Sequence, residues 1–253
     1  MKRHLLTAAL TLLSATLFSL SAQPKVIAHR GYWRAEGSAQ NSVASLVAAA
    51  EIGCWGSEFD VWLSADGVLF LYHDDEMNGQ RVEKLTMAQM KGYTLENGEP
   101  LPLLEDFLTV AQRYPELQLI FELKPHNNKE QERKAVEASV KMVEAMGLAE
   151  RTEYISFSHN ACLEFIRLAP SAKVYYLGGE ILPKRLLSEG FAGADYHIGV
   201  YKVAPKMVEQ LHKLGLEVNV WTVNKEQDML WVKRHNLDYI TTDYPELALE
   251  LYK

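Results

Sequence analysis

Hydrophobic positions fall along this chain in two alternating rhythms. Short runs rich in β-branched and aromatic residues recur at 26–30, 57–63, 68–74, 117–124, 154–158, 173–177, 196–201, 217–223 and 239–242. Between most of them, segments 41–52, 103–113, 129–146, 162–169, 205–214 and 225–235 carry apolar residues at three-to-four spacing with charges on the opposite face, the mark of amphipathic helices. Strand-helix alternation of this length predicts a parallel sheet covered by helices, and about eight such units predict a closed TIM-type (β/α)8 barrel rather than an open sheet. Its early part should be irregular. There are nine strand candidates, and the link between the second and third is too short to hold a crossover helix.

The N-terminus departs from this pattern. Lys2, Arg3 and His4 precede an apolar run, 5–20, that ends in the small residues Ser21 and Ala22. A basic front, a short apolar middle and a small-residue end describe a secretory signal peptide. A bilayer span needs roughly 20 predominantly apolar residues. The expectation is a leader of residues 1–22 removed on export to the periplasm or beyond, and one barrel domain over 23–253. No second long apolar stretch follows, so no integral membrane segment is expected in the mature form.

The formal charge of −7 becomes −9 once Lys2 and Arg3 leave with the leader. Such a balance disfavours nucleic acid as a partner and any broad attraction to anionic membranes, though a local basic pocket can still hold one phosphate. Cys54 and Cys162 lie far apart and read as small buried residues rather than a disulfide pair, and no His/Cys cluster has zinc spacing.

Ionisable residues gather where predicted strands end. His29 and Arg30 end the first run, Glu58 and Asp60 lie in the second, His73 and Asp74 end the third, and Glu122 and Lys124 close the fourth. In a barrel the C-terminal strand ends form the active-site mouth. Side chains at i and i+2 share a face, so Glu58 pairs with Asp60, and Glu122 with Lys124, while Phe59 and Leu123 face the helices. Three converging carboxylates, Glu58, Asp60 and Glu122, offer the hard oxygen ligands that Mg2+ or Ca2+ prefers. His29 and His73 can serve as general base and acid, and Arg30 and Lys124 supply positive charge for phosphate oxygens. Any one of these groups alone is most simply a salt bridge or a solvated face; their joint occurrence points to phosphoryl chemistry. His126 is expected to border the pocket, whereas His159, His197, His212 and His235 are expected near the surface.

These residues resemble a known family. His29-Arg30-Gly31, Asn41-Ser42, Gly56-Ser57-Glu58-Phe59-Asp60-Val61, Asp66-Gly67 leading to His73-Asp74, Glu122-Leu123-Lys124, Ser156-Phe157, Val220-Trp221-Thr222-Val223-Asn224 and Thr242-Asp243-Tyr244-Pro245 are similar, in order, to the glycerophosphodiester phosphodiesterases. The resemblance implies a (β/α) barrel that hydrolyses small-molecule glycerophosphodiesters to sn-glycerol 3-phosphate and an alcohol with one divalent cation. It implies His29 and His73 as the acid/base pair, Glu58, Asp60 and Glu122 as metal ligands, Arg30 and Lys124 on the phosphoryl oxygens, and Trp221 as an apolar wall beside the substrate. Two departures stand out: Ala39-Gln40-Asn41-Ser42 replaces the family's Pro-Glu-Asn-Thr, and the stretch after His73-Asp74 is short.

Two rival readings follow from the same residues. A lysophospholipase D-type enzyme would need an apolar lip, for which Tyr32, Trp33 and Trp62 are candidates. A non-catalytic barrel that captures phosphate esters would be expected to lose costly buried charges first, and all of them remain.

Overall fold

The computed structural model describes residues 23–253; the leader expected at 1–22 lies outside the described residues. The strands are β1 (Lys25–Ala28), β2 (Gly56–Leu63), β3 (Leu69–Leu71), β4 (Glu76–Met77), β5 (Gln80–Arg81), β6 (Gln118–Leu123), β7 (Thr152–Ser156), β8 (Val174–Tyr176), β9 (Gly193–His197), β10 (Glu217–Trp221) and β11 (Tyr239–Thr242). The helices are α1 (Val43–Glu51), α2 (Met87–Met90), α3 (Leu104–Ala111), α4 (Lys129–Ala145), α5 (His159–Leu168), α6 (Pro183–Ser188), α7 (Ile198–Val203), α8 (Lys206–Lys213), α9 (Glu226–Arg234) and α10 (Pro245–Leu251).

Eight strands run parallel in the order β10-β9-β8-β7-β6-β2-β1-β11. Between β11 and β10, backbone bonds from Asp238 N to Val218 O and from Val223 N to Thr241 O, both 3.0 Å, bring the sheet to near closure. The predicted barrel is therefore present, and each strand divides its side chains between two environments. Phe59, Val61, Phe121, Leu123, Ala194 and Tyr196 join the large core beneath the helices. Ile27, Ile120, Ile155 and Tyr175 fill the barrel interior. Strand alternation thus sends Glu58, Asp60 and Glu122 inward, as the i, i+2 argument requires.

Helix starts follow local chemistry. The Ser42 side chain accepts from Ser45 N at the head of α1, Asn128 from Glu130 N and Gln131 N at α4, and Ser158 from Ala161 N at α5. Each satisfies donors that the first helical turn leaves without a partner. Cys54 and Cys162 are both buried and free.

The expected irregularity has a specific form. β3 pairs antiparallel with β2 (Val61↔Leu71, Trp62↔Phe70, Leu63↔Leu69), so the ninth strand is a returning hairpin arm outside the barrel. The excursion that follows, through β4, β5 and α2, packs its own small core of Trp62, Phe70, Met77, Val82, Leu85, Met90 and Leu101. Residues 196–201, read as one strand, divide at His197. β9 ends there, and the His197 ring accepts from Gly199 N to start α7. An apolar run of six cannot by itself separate a strand end from a short buried helix. The brief helices α6 and α10 also escaped the periodicity, each beginning with proline after a short loop.

Candidate active site

The site begins where β1 ends. Arg30 and Gly31 both adopt positive φ, 55° and 73°, which turns the chain sharply across the mouth. Gly31 is required there, since a Cβ would lie 2.7 Å from the backbone carbon of Ser45. This turn aims Arg30 N at Glu58 Oε2 (2.7 Å) and Gly31 N at the carbonyl of Glu58 (3.0 Å). The His-Arg-Gly sequence is thus a backbone device that locks β1 onto the carboxylate of β2.

Glu58 and Asp60 are almost wholly buried, and Glu122 nearly so. One carboxylate oxygen from each lies within 4.8 Å of the others. Oxygens 2.0–2.6 Å from a shared ion lie at most about 5 Å apart, so the spacing suits one hard divalent cation. Glu58 Oε1 is buried with no hydrogen-bond partner, an acceptor held for something other than protein. Burial, together with Asp60 and Glu122, pushes the Glu58 carboxyl well above its ordinary range. Burial likewise raises Glu122 to about 7, with Lys124 opposing and Asp60 adding to the rise. Asp60 shifts downward: burial would raise it, but Lys124, His73, Arg30 and Asn41 outweigh that. Its contacts explain why. Asn41 Nδ2 donates to Asp60 Oδ2 (2.9 Å), Lys124 Nζ lies 3.2 Å from Oδ1, and Arg30 Nε lies 3.5 Å from Oδ2. Lys124 Nζ also pairs with Glu122 Oε1 at 2.8 Å.

Both histidines reach the cavity with one nitrogen already committed. His29 Nδ1 is 2.7 Å from Asp243 Oδ1, and His73 Nδ1 is 2.7 Å from Asp74 Oδ1. A carboxylate accepts, so each Nδ1 carries the hydrogen and each Nε2 is left for chemistry. His29 Nε2 stands 4.0 Å from Glu58 Oε2. Burial lowers His73, with Asp60 opposing and Lys124 and Arg30 reinforcing, which favours the neutral ring. His73 arrives from the hairpin arm that ends in β3, a correction to its placement on a barrel strand. The excursion swings it over the mouth.

A cavity of about 130 Å³ is lined on one side by His29, Arg30, Glu58, His73, Glu122 and Lys124, and on the other by Ile155, Phe157, Leu177, Asp195, Trp221, Thr222 and Thr241. Trp221 lines the second side. Its Nε1 donates to the Asp195 carbonyl (2.9 Å), and its ring meets Phe157 edge-on at 5.4 Å. Of the predicted site residues, all but Asp60 line this cavity, and Asp60 is tied to it through Arg30 and Lys124; His126 does not reach it. That ring is buried away from the cavity, where it accepts from Leu63 N (3.3 Å) and packs against Trp62. Gln40 accepts a short hydrogen bond from Arg30 Nη1, so the neutral amide keeps Arg30 in place without cancelling its charge. Asp243, Asn224 and Asp195 were missed as site residues. Asp243 and Asn224 fall inside motif-bearing segments where nothing local marks them, and Asp195 falls just before the run 196–201 with no motif around it.

Among the aromatics offered for an apolar lip, Trp62 is 1% exposed in the small core, and Trp33, half-buried, donates to Asp243 (3.1 Å). Among the described residues, no helix is long and apolar enough to cross a membrane.

A (β/α)8 barrel whose mouth joins a carboxylate triad, two cations and two carboxylate-anchored histidines defines a phosphodiester-hydrolase site. The sequence profile of the glycerophosphoryl diester phosphodiesterase family matches residues 29–247, and the chain belongs to that family and to its class of phosphoric diester hydrolases. A glycerophosphodiester phosphodiesterase from Caldanaerobacter subterraneus is 29% identical over 244 residues, covering 90% of this chain and 97% of that one. The crystal structure of a glycerophosphodiester phosphodiesterase from Parabacteroides distasonis is 48% identical, covers 91% of this chain and 97% of its own, and superposes with a TM-score of 0.89. An Oleispira antarctica phosphodiesterase solved with the product sn-glycerol-3-phosphate is 26% identical over 90% of this chain and 96% of its own, with a TM-score of 0.76.

Proposed function

We propose that this chain hydrolyses glycerophosphodiesters to sn-glycerol 3-phosphate and an alcohol, with His29 and His73 as the acid/base pair. In this reading a divalent cation, Mg2+ or Ca2+, is held by Glu58, Asp60 and Glu122. One observation carries the proposal: the unpartnered buried oxygen of Glu58 lies in the same cavity that receives the free Nε2 edges of two histidines.

The cation, when bound, supplies Lewis-acid polarisation of the phosphoryl group. Arg30 and Lys124 spread the charge that grows on the phosphoryl oxygens, and their own buried carboxylate partners keep them pre-oriented. His73, favoured neutral, takes a proton at Nε2 from the attacking water, whose oxygen bonds to phosphorus as the alcohol leaves. His29 delivers a proton from Nε2 to the leaving alkoxide, and Asp243 stabilises the ring while it is charged. Trp221 and Phe157 give the side of the cavity opposite the carboxylate triad an aromatic face.

Purified His29→Ala and His73→Ala proteins, assayed with glycerophosphocholine, should each lose at least about a hundredfold in kcat. Near-wild-type turnover in either would overturn the two-histidine scheme. Chelation with EDTA should abolish activity, and Mg2+ or Ca2+ should restore it. A lipid-directed variant of the same chemistry has less support, because Trp62, one of the three aromatics proposed for an apolar lip, is buried in the small core. The leader read from the sequence adds the proposal that the enzyme works outside the cytoplasm, which cell fractionation would test.

A further inference from the structure

Asp195 lies on the inward face of β9, between Gly193 at the strand's start and His197 at its end. It is 1% exposed, and its Oδ1 has no hydrogen-bond partner. It lines the cavity on the side away from the cation pair, among Ile155, Phe157, Leu177 and Trp221. Among the described residues it stands outside the set of three carboxylates spaced for one metal ion. Nothing in the proposed acid/base or cation machinery uses it.

A carboxyl in such a place is costly. Leaving a buried polar atom unpaired costs stability that leucine or isoleucine would retain. Neighbouring interior positions show the cheaper solution, because Ile155 and Leu177 fill the same wall with hydrocarbon. The backbone around Asp195 is also fixed. β9 pairs with β10 at Asn219↔Asp195, and the Asp195 carbonyl holds the Trp221 indole. The side chain is therefore an aimed polar group on a rigid strand, in a wall that is otherwise largely apolar. Thr222 and Thr241 are the other polar residues of that wall, and the Thr241 hydroxyl already donates to Asn219 (3.4 Å).

We propose that Asp195 is the residue that recognises the glycerol half of the substrate, by hydrogen bonding a free glycerol hydroxyl while Trp221 covers the carbon chain. The assignment rests on the function proposed above and goes beyond it, because it names what selects glycerol over another small alcohol. The phosphoryl group belongs against Arg30, Lys124 and the carboxylates, so one ester arm of the diester must extend toward the wall that contains Asp195. The enclosed position suits the arm common to all substrates. The variable alcohol fits the outer groove lined by Gln40, Tyr72, Asp74, Tyr93 and Glu96, which opens beside His73. Burial, with Glu122 and Glu153 as like-charged neighbours, holds the Asp195 carboxyl well above its ordinary range. A carboxyl that keeps its proton both donates and accepts, matching a hydroxyl in either role.

The test is titration calorimetry of the Mg2+-supplied protein with sn-glycerol 3-phosphate and with propyl phosphate, which keeps the phosphate and three carbons but lacks the hydroxyls. Wild type should prefer glycerol 3-phosphate. D195A, and D195L which refills the space without polar atoms, should bind glycerol 3-phosphate about tenfold more weakly while propyl phosphate changes by less than about twofold. D195N, which retains a donor and an acceptor, should recover most of the preference. If D195A does not fold, D195L carries the measurement, and D195N supplies the control for shape. An equal loss for both ligands, or no loss for either, overturns the assignment. Selective loss of glycerol 3-phosphate binding in the variants, with a wild-type protein that does not hydrolyse glycerophosphocholine, would support Asp195 as the glycerol contact and overturn the hydrolytic reading instead.

Discussion

His29 Nδ1 and Asp243 Oδ1 stand 2.7 Å apart although 214 residues separate them in the chain. The contact exists because β1 and β11 are neighbours in the barrel, in register from Lys25↔Tyr239 to Ala28↔Thr242. Asp243 is itself pinned, accepting from Trp33 Nε1 (3.1 Å) and from Asn224 Nδ2 (2.6 Å). Burial would raise its carboxyl, but the hydrogen bonds from His29, Trp33 and Asn224 outweigh this and bring it down to about 2. The first and last strands therefore hold one hydrogen-bonded His-Asp pair between them.

Asp243→Asn should cut kcat for glycerophosphocholine by at least about tenfold with a smaller change in KM, because the amide no longer enforces Nδ1–H on His29. Steady-state kinetics checks this. The stability consequence has a defined sign. An acid depressed on folding contributes stability above its unfolded value near 4 and loses it as pH falls toward 2. Wild type should exceed Asp243→Asn by up to about 2 kcal/mol at neutral pH. In denaturant titrations, that gap should close between about pH 4 and pH 2.

Glu58→Gln should separate the structural role of the carboxylate triad from its ligand role. In metal-free protein Glu58 is a buried acid beside Asp60 and Glu122, so a neutral amide relieves repulsion and should raise Tm by a few degrees, roughly 1–2 kcal/mol. Wild type should gain further stability on addition of Mg2+ or Ca2+, as any ligand of the folded state requires, and the variant should not. A variant whose Tm rises with the cation as much as wild type would remove Glu58 from the site.

Gly31→Ala should be severe for so small a change. A methyl group there meets the backbone of Ser45 at 2.7 Å, and the residue sits at φ 73°. Strain and the forced shift of α1 should cost at least about 2 kcal/mol and displace the Arg30 amide from Glu58. Circular dichroism melts and activity should fall together. By contrast Gly67→Ala, also at positive φ (83°) but with no atom within 4 Å, should cost less and leave activity intact.

The opposite end of the barrel gives a second pH prediction. Burial drives Glu153 up to about 7, with Lys173 opposing and Glu217 adding to the rise. Lys173 Nζ lies 3.7 Å from Glu153 and 2.8 Å from Glu217, so it is shared and favours Glu217. A carboxyl raised on folding binds its proton more tightly in the native state, and its contribution is lost as pH climbs from about 4.5 to 7. Glu153→Gln should therefore match wild type near pH 4 and exceed it by up to about 3 kcal/mol at pH 8. Chemical denaturation across that range measures the difference.

The sequence by itself determined the barrel, the inward direction of Glu58, Asp60 and Glu122, and the pairing of two histidines with a carboxylate cluster. Each follows from a local rule: period 2 in strands, period 3.6 in helices, and the burial cost of charge, which makes clustered ionisable residues informative. Tertiary structure decided the rest. The hairpin arm that delivers His73, the burial of Trp62 and His126 in packing, and the partnership of His29 with Asp243 all depend on which strands become neighbours. No window of sequence contains that information. Asp195 is the clearest case: it carries no motif in the sequence, and only the curvature of the nearly closed sheet turns it toward the cavity that the other strands complete.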